Sequence, residues 1–275
     1  MRFKKGFGIV SVNLLAWILS FLMLVPLVLI LLNSVKTSQA ASDMSLALPE
    51  GSLRFDNFVT VIEKGKLGLT FLNSLLYSTG SVVLCAILSS MAAYVFSRNR
   101  CRLHRFLYLF IVLGITMPIN FVALMKVMQF TLLQNTRLGI ILLYTALQLP
   151  FNIFLIFGFI GKIPKDIDEA AVIDGCGPIR LFSIVILPLL KPVLVTVMVL
   201  TFLNTWNEFV LPLYFLGSSA KWPMTLAVYN FFGMYATDWN LVCADIVLTC
   251  MPVVVVYLLG QRYIVAGMTA GAVKG

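Results

Sequence analysis

The stretch DIDEAAVIDGCGPIRLFSIVILPLLKP, from Asp166 to Pro192, holds four of the eleven acidic residues of a 275-residue chain. Three of these acids fall within a single helical turn, immediately before a pair of alanines. A Gly-Cys-Gly-Pro sequence then interrupts the pattern, and prolines close it. This arrangement predicts two short helices separated by a sharp break, inside a chain that is otherwise strongly apolar.

The composition excludes a soluble globular domain. Hydrophobic residues make up 60% of the chain and charged residues 11%, whereas soluble domains carry about 25% charged residues. The net charge of +9 accompanies long apolar runs, which favours loop charges that set membrane orientation over nucleic-acid binding. Five scattered cysteines and one histidine, His104, predict neither a disulfide framework nor a metal site.

Six segments are apolar and long enough to cross a bilayer as helices, which takes about 20 residues each. They are approximately 10–32, 71–97, 106–128, 138–161, 193–216 and 241–262. The first exceeds the apolar core of a signal peptide and lacks a cleavage pattern. Five of the six contain a proline, which favours helices that bend around a cavity over simple kinks. The predicted fold is an all-α membrane protein with six transmembrane helices.

The distribution of Lys and Arg predicts the orientation. If the N-terminus is cytoplasmic, 13 of the 20 basic residues face the cytoplasm, with the strongest cluster in SRNRCRLHR, residues 97–105. Both termini and the opening stretch are then cytoplasmic. The predicted division is a first transmembrane helix with an external segment (1–70), a core transmembrane domain (71–262) with a cytoplasmic loop at 162–192, and a cytoplasmic tail (263–275).

The opening stretch has the signals of a helix pair. Asp166 is a candidate N-cap, and Glu169 would complete a capping box. Gly175 is placed to end the first helix and Pro178 to begin the second, which we expect to stop before Pro188. The carboxylates lie near the positive end of the first helix, where they are favoured.

Two interpretations of this pair remain open from its residues alone. The pair docks into a groove on a partner, or it packs only against its own bundle. For docking, Ala170 and Ala171 offer a shallow surface and Asp174 and Glu169 offer charges. The apolar contacts would come from Ile167, Val172, Ile173, Leu181 and Phe182.

The sequence EAAVIDGCGPIRLFSIVILP resembles the EAA loop of the permease subunits of bacterial ABC importers. That pattern is EAA, three residues, Gly, nine residues, Ile, one residue and Leu-Pro. Here Val185 replaces the Ile, and the other positions match. NTWNEFVLPL and the ending QRYIVAGMTAGAVKG resemble the G-type permease of maltose-type carbohydrate importers.

This resemblance implies a type I ABC importer permease fold in the bacterial inner (plasma) membrane, crossing it several times. It implies a second related permease, two cytoplasmic ATPase subunits, an external solute-binding protein and a carbohydrate substrate. The chain has no Walker A pattern, so ATP and Mg would be held by the ATPase partner, with no cofactor or metal here and no enzymatic activity of its own.

The resemblance also implies roles for named residues. Contact with the ATPase would come from the EAA loop and, at the tail, from Gly271, Ala272 and Lys274, unless the tail is simply a disordered end. The loop residues concerned are Glu169, Ala170, Ala171, Asp174, Gly175 and Pro188.

Polar residues inside the predicted spans are candidates for a translocation path or gate. Asn204, Trp206, Asn207 and Glu208 combine amide, carboxylate and aromatic groups suited to a sugar. Their alternative role is hydrogen bonding between helices, which we favour for Gln148 and Asn152. A competing function is a secondary transporter that uses Glu208 and Asp245 for ion coupling, but it leaves the cytoplasmic helix pair unexplained. No HExxH or GxSxG pattern supports an intramembrane enzyme.

Overall fold

The apolar segments of the sequence form α-helices, because a backbone inside hydrocarbon must satisfy its own hydrogen bonds. The computed structural model describes residues 2–49, 51–99, 101–232 and 237–272. Across these residues only an isolated bridge between Phe232 and Thr237 departs from helices and loops, so the predicted all-α class is confirmed. The helices are α1 (Arg2–Ser34), α2 (Ser38–Ala41), α3 (Asp56–Lys64), α4 (Leu67–Arg98), α5 (Arg102–Leu113), α6 (Phe121–Phe130), α7 (Arg137–Ile160), α8 (Asp166–Ile173), α9 (Pro178–Arg180), a π-helix (Leu181–Ile186), α10 (Leu187–Leu189), α11 (Lys191–Trp206), α12 (Val210–Phe215), α13 (Met224–Ala227) and α14 (Trp239–Ala272), with 3₁₀ turns at Ser219–Lys221 and Val228–Phe231.

Continuous membrane-length helices are fewer than the six predicted spans. In the described part of the chain, four helices are long and apolar enough to cross a bilayer: Val12–Ser34, Leu67–Arg98, Arg137–Ile160 and Trp239–Tyr263. A fifth crossing is available only if Pro178–Leu189 and Lys191–Trp206, which meet at a bend of 78°, count as one span. Unbroken helices at 106–128 and 193–216 were therefore wrong expectations.

The third predicted span is broken at Pro118. α5 ends at Leu113, and α6 begins only after Asn120, whose side chain accepts a hydrogen bond from the Ala123 N–H at 3.0 Å. Proline supplies no N–H and restricts the residue before it, so the helix cannot run on unchanged. The two pieces are about 18 Å and about 15 Å long, and each is too short to cross alone.

One of two compact units comprises Met1–Gly68 and Ala227–Met251. Its polar centre is Lys36, which is only 3% exposed. The Nζ atom of Lys36 donates to Asn33 Oδ1 at 3.0 Å and to the Ser45 carbonyl at 2.7 Å. Because a buried ammonium group is costly unless it is hydrogen-bonded, these contacts fix the chain where it leaves α1.

The other unit comprises Leu69–Leu226 and Pro252–Gly275. Its core joins α4, α7 and α11 to the predicted cytoplasmic helix pair. The buried members are Ala93, Ile153, Ile156, Ile160, Ala171, Leu181, Ile186, Leu190, Val193 and Val197. The pair is thus anchored in the same core as the long helices. These two units are defined by contacts between residues. The predicted division at residues 70 and 262 is based on the expected membrane topology, and it stays a prediction.

Candidate functional site

The start of α8 differs from the predicted capping box. Lys165 occupies the N-cap position with helical angles (φ −70°, ψ −24°) and makes no side-chain cap, and Asp166 is already the first helical residue. A capping residue needs non-helical backbone geometry, so the box formed by Asp166 and Glu169 was a wrong prediction. Asp166, Asp168 and Glu169 nevertheless lie in the first turn, where the helix dipole favours carboxylates.

The end of α8 is set by Gly175, as the sequence predicts. Gly175 has φ +80°, a left-handed conformation that disfavours residues with a Cβ. Its N–H donates to the Val172 carbonyl at 3.0 Å, and the Cys176 N–H donates to the Ala171 carbonyl at 2.9 Å. These two bonds form a Schellman motif, which turns the chain sharply into the second arm.

The second arm extends further than predicted. It begins with Pro178 and passes through a π-helical segment, Leu181–Ile186. It then continues through Pro188 to Leu189, so a stop before Pro188 was wrong. The proline is tolerated because it lies in the first turn of α10, where a missing N–H costs little. The chain changes direction sharply at Leu190, where a bend of 78° leads into α11.

The helix pair has an inner face and an outer face. Ala171, 7% exposed, and Leu181, 7% exposed, face inward, and Phe182 packs at 5.5 Å from the Tyr94 ring. Ala171 and Leu181 are therefore buried rather than presented to a partner, contrary to expectation, and Phe182 is half-buried. The outer face holds acids and small or apolar side chains: Glu169, Ala170, Val172, Ile173, Asp174, Gly175, Ile179 and Pro188. This face has the chemistry of a helix that docks in a groove.

Asp168 forms a connection that no local sequence pattern indicates. Its carboxylate lies 2.7 Å from Arg98 Nη2 and accepts a hydrogen bond from Tyr94 Oη at 2.8 Å. Tyr94 and Arg98 are one turn apart at the end of α4. One of the carboxylates assigned to helix initiation or a partner therefore binds the chain's own bundle.

A cleft lined mainly by apolar residues, with two amide side chains in its wall, lies beside the break between α5 and α6. The cavity has a volume of about 360 Å³, and its lining includes Gly114, Met117, Gln148, Phe151 and Asn204. Asn204 Nδ2 donates to Gln148 Oε1 at 3.3 Å, joining α11 to α7. Gln148, which the sequence favoured as a packing residue, is thus paired with a predicted path residue.

The other predicted path residues are not gathered in this cleft. Trp206 is 1% exposed, with its ring stacked on Phe202 at 5.3 Å and edge-on to Phe71 at 5.8 Å. Asn207 donates to the Leu203 carbonyl of its own helix. Glu208 Oε1 accepts from the N–H groups of Val210 and Leu211 at 2.8 and 3.0 Å, which caps α12.

The residues named for ion coupling have different settings. Glu208 is committed to the local cap, whereas Asp245 lies in α14 and is 2% exposed. The Oδ1 atom of Asp245 has no hydrogen-bond partner among the residues that the structure describes. Within the described residues, neither carboxylate belongs to a group of three or more His, Cys, Asp or Glu side chains that could hold a metal ion.

The described part of the C-terminal tail is helical. α14 continues past the predicted end of the sixth span at residue 262 and includes Gly271 and Ala272. Lys274 lies outside the described residues. Up to Ala272 the tail therefore extends α14 as a helix, and is not the disordered end considered as the alternative.

A strongly apolar helical bundle that anchors an exposed helix pair is the framework of an integral membrane protein. Residues 85–270 match the family of binding-protein-dependent transport system inner membrane components, and the chain belongs to that family. This confirms the resemblance carried by the EAA sequence and places the protein in the inner membrane as a multi-pass component. The family membership does not support the ion-driven alternative.

Several relatives align along most of their length. The probable starch degradation products transport system permease protein AmyC of Thermoanaerobacterium thermosulfurigenes is 34% identical over 94% of both chains. The melibiose/raffinose/stachyose import permease protein MelC of Bacillus subtilis is 32% identical over the full length of both. The multiple sugar-binding transport system permease protein MsmG of Streptococcus mutans is 33% identical over 92% of both.

A solved structure shares the fold. It is a bacterial ABC transporter involved in the import of the acidic polysaccharide alginate, with a TM-score of 0.83. The match covers 96% of this chain and 98% of that chain at 24% identity. The predicted permease fold is therefore confirmed at the level of architecture.

Proposed function

We propose that this chain is one of two related permease subunits that together form the translocation path of an ATP-driven carbohydrate importer. The observation that carries the proposal is the two-faced helix pair at Asp166–Leu189. Its inner residues belong to the bundle core, and its outer face exposes Ile173 at 84% and Ile179 at 83%. The names of the relatives, which describe permeases for starch products and oligosaccharides, support a carbohydrate substrate.

The outer face of the pair is proposed to dock into a cleft on an ATPase subunit. Exposed Ile173 and Ile179 flank the Gly175 turn and would make apolar contacts with the cleft of the ATPase subunit. Glu169 and Asp174 would meet basic groups at the rim. ATP and Mg would be held by two cytoplasmic ATPase subunits, with no cofactor in this chain, and an external solute-binding protein would deliver the substrate.

The proposed topology has six crossings with both termini in the cytoplasm. The third crossing is made by the α5–α6 pair around Pro118, and the fifth includes α11 and α12 around the Glu208 cap. The cluster at 97–105 and the helix pair then share the cytoplasmic side, as the basic charge distribution favours. The tail residues Gly271, Ala272 and Lys274 are proposed to approach the ATPase pair.

The proposed path runs along the cleft at Asn204 and Gln148. Amide groups that donate and accept are suited to sugar hydroxyls, and the cleft adds the ring of Phe151. Asn207, exposed at the end of α11, and Glu208 are proposed to lie at the outer gate. Trp206 would support them by packing, because its buried ring leaves no free face for a sugar.

Co-purification tests the assignment most directly. The chain should extract from membranes with an ATPase subunit, and Glu169→Lys or Gly175→Pro should break that association. Glu63→Lys is a matched control, because Glu63 is also an exposed glutamate on a helix but lies in the predicted external segment. Uptake that persists without any ATPase subunit would refute the proposal of an ATP-driven importer and would favour an ion-driven secondary transporter.

The substrate class needs a separate test. The cognate binding protein should be stabilised against heat by a mono- or oligosaccharide in a panel that also includes polyols and glycerol phosphate. A response restricted to a non-carbohydrate would leave the importer mechanism in place and overturn the proposed substrate.

A further inference from the structure

The last turn of α4 contacts the cytoplasmic helix pair at three places. Asp168 of α8 lies 2.7 Å from Arg98 Nη2, and its Oδ1 accepts from Arg98 Nε at 3.2 Å and from Tyr94 Oη at 2.8 Å. The Arg98 guanidinium also donates to the Ile163 carbonyl at 3.3 Å. The Tyr94 ring contacts Phe182. One turn of α4 therefore binds the entry to α8, α8 itself and the second arm.

The setting of this contact favours a strong interaction. The side chains of Arg98 and Asp168 are each 14% exposed, so water screens their charges less than on an open surface. Arg98 stands at the C-terminal end of α4 and Asp168 in the first turn of α8, so both helix dipoles favour the charges present. It is the one salt bridge among the described residues.

The opposite end of α4 is tied to a different loop. Asn73 Nδ2 donates to the carbonyls of Ala220 and Trp222 at 3.0 and 3.1 Å. Tyr77 Oη donates to the Lys221 carbonyl at 2.7 Å. About 32 Å of continuous helix separates Tyr77 from Arg98, and no proline interrupts it.

We propose that Tyr94, Arg98 and Asp168 form a latch that makes α4 the rod by which displacement of the helix pair reaches the 218–224 loop. The three residues are positioning residues: they contact neither substrate nor nucleotide. The inference rests on the proposed docking of the helix pair with an ATPase. α8 alone is too short to carry motion across the membrane, whereas α4 is attached at both ends.

The test uses the full complex in lipid nanodiscs and two readouts. Arg98→Gln and Asp168→Asn should raise amide hydrogen exchange in 165–174 and in 218–224. They should also lower solute transported per ATP hydrolysed by roughly tenfold, the size expected when one charge-assisted hydrogen bond is lost. Arg105→Gln, an exposed arginine of the same basic cluster, is the control and should change neither. Tyr94→Phe, which keeps the ring contact with Phe182, should give a smaller effect.

The charge swap Arg98→Glu with Asp168→Arg separates a latch from a general fold defect. If the two charges act as a pair, the double variant should transport more solute per ATP than Arg98→Glu or Asp168→Arg alone, and should recover most of the wild-type ratio. Unchanged exchange in Arg98→Gln, or an equal fall in uptake and ATP hydrolysis, would overturn the latch. Absence of ATP-driven uptake by the wild-type complex would instead refute the proposed function, and the exchange readout would still decide whether the latch exists.

Discussion

The side-chain amide of Asn204 donates to the Gln148 carbonyl oxygen across 3.3 Å, at the wall of a cavity of about 360 Å³. The two residues come from different helices, α11 and α7, and Asn204 is exposed while Gln148 is half-buried. An exposed amide pair of this kind has unused donors and acceptors, so it can exchange its mutual bond for bonds to a passing hydroxyl.

Asn204→Ala and Gln148→Ala are each expected to raise the KM for uptake by roughly threefold to tenfold, the effect of losing about one neutral hydrogen bond. Complex assembly should be unchanged, because the pair is not part of the buried core. Gln129→Ala is the control, since Gln129 is an exposed amide on α6 and does not line the cleft. Uptake kinetics in proteoliposomes provide the measurement. Equal KM values for all three variants would contradict a path at this cleft.

Two substitutions of Glu208 distinguish the role of its charge in uptake from its role as the cap of α12. Glu208→Gln keeps the oxygen that accepts from Val210 and Leu211, so α12 should stay ordered. Glu208→Ala removes the cap and should destabilise α12 by about 1 kcal/mol. We expect Glu208→Gln to lower uptake with assembly intact, and only Glu208→Ala to raise hydrogen exchange at 210–216. Unchanged uptake in the Gln variant would leave Glu208 with the capping role alone.

We expect that Gly175 tolerates no side chain, whereas Gly177, two residues further along, tolerates one. Neither position has an atom within 4 Å of an added Cβ, but Gly175 alone has a positive φ, +80°. Gly175→Ala should therefore cost about 1–2 kcal/mol through backbone strain, and Gly177→Ala should be nearly neutral. Thermal unfolding of the purified complex and ATPase co-purification measure the difference. Equal stability of the two variants would show that the Schellman turn is not required.

The sequence predicted the helical class, the family and the Gly175 turn, because each depends on local signals. The length of an apolar run decides whether a helix can cross a bilayer, and the spacing of the EAA pattern is visible directly in the sequence. The break in the third span was less predictable. Pro26, Pro150 and Pro252 remain inside long helices, whereas Pro118 lies between α5, which ends at Leu113, and α6, which Asn120 caps.

Contacts between distant residues were beyond prediction. Arg98 and Asp168 are 70 residues apart, and no periodicity links them. Trp206 has the ring that a sugar path favours, but Phe71 and Phe202 enclose it. Residue chemistry narrows the candidates, and tertiary packing decides which of them faces the cleft.

Cys101 provides a test of the proposed orientation. Its Sγ lies 2.7 Å from His104 Nδ1 in the basic segment 97–105, where α4 ends and α5 begins, and this hydrogen bond lowers the pKa of the thiol. A lower pKa gives more thiolate at neutral pH. A membrane-impermeant maleimide should label Cys101 quickly in inside-out vesicles and not in right-side-out vesicles.

His104→Ala should slow this labelling at pH 7, because the thiol pKa rises. The rates of the two proteins should converge above roughly pH 9, where an ordinary thiol is also ionised. Cys176, predicted on the same side, is the internal reference, and its rate should not depend on His104. Labelling of Cys101 in right-side-out vesicles would refute cytoplasmic termini.

Gly260 lies where α14 passes close to Val199 of α11. A Cβ at Gly260 would lie 2.8 Å from Val199 Cγ1 and 2.9 Å from Val199 Cγ2, and Thr196 Oγ1 donates to the Tyr263 carbonyl at 2.8 Å nearby. Small residues allow helices in membranes to pack closely. Gly260→Ala should therefore destabilise the unit by about 1–3 kcal/mol through overpacking, measured by thermal unfolding in detergent.

Val199→Ala should restore much of that loss in the double variant, because it removes the two methyl groups that the new side chain meets. Gly158→Ala is the matched control: Gly158 lies in α7 with nothing within 4 Å of an added Cβ, so alanine there should be neutral or slightly stabilising. If Gly260→Ala proved as stable as Gly158→Ala, or if Val199→Ala gave no rescue, the close contact of α11 with α14 would not exist in the membrane.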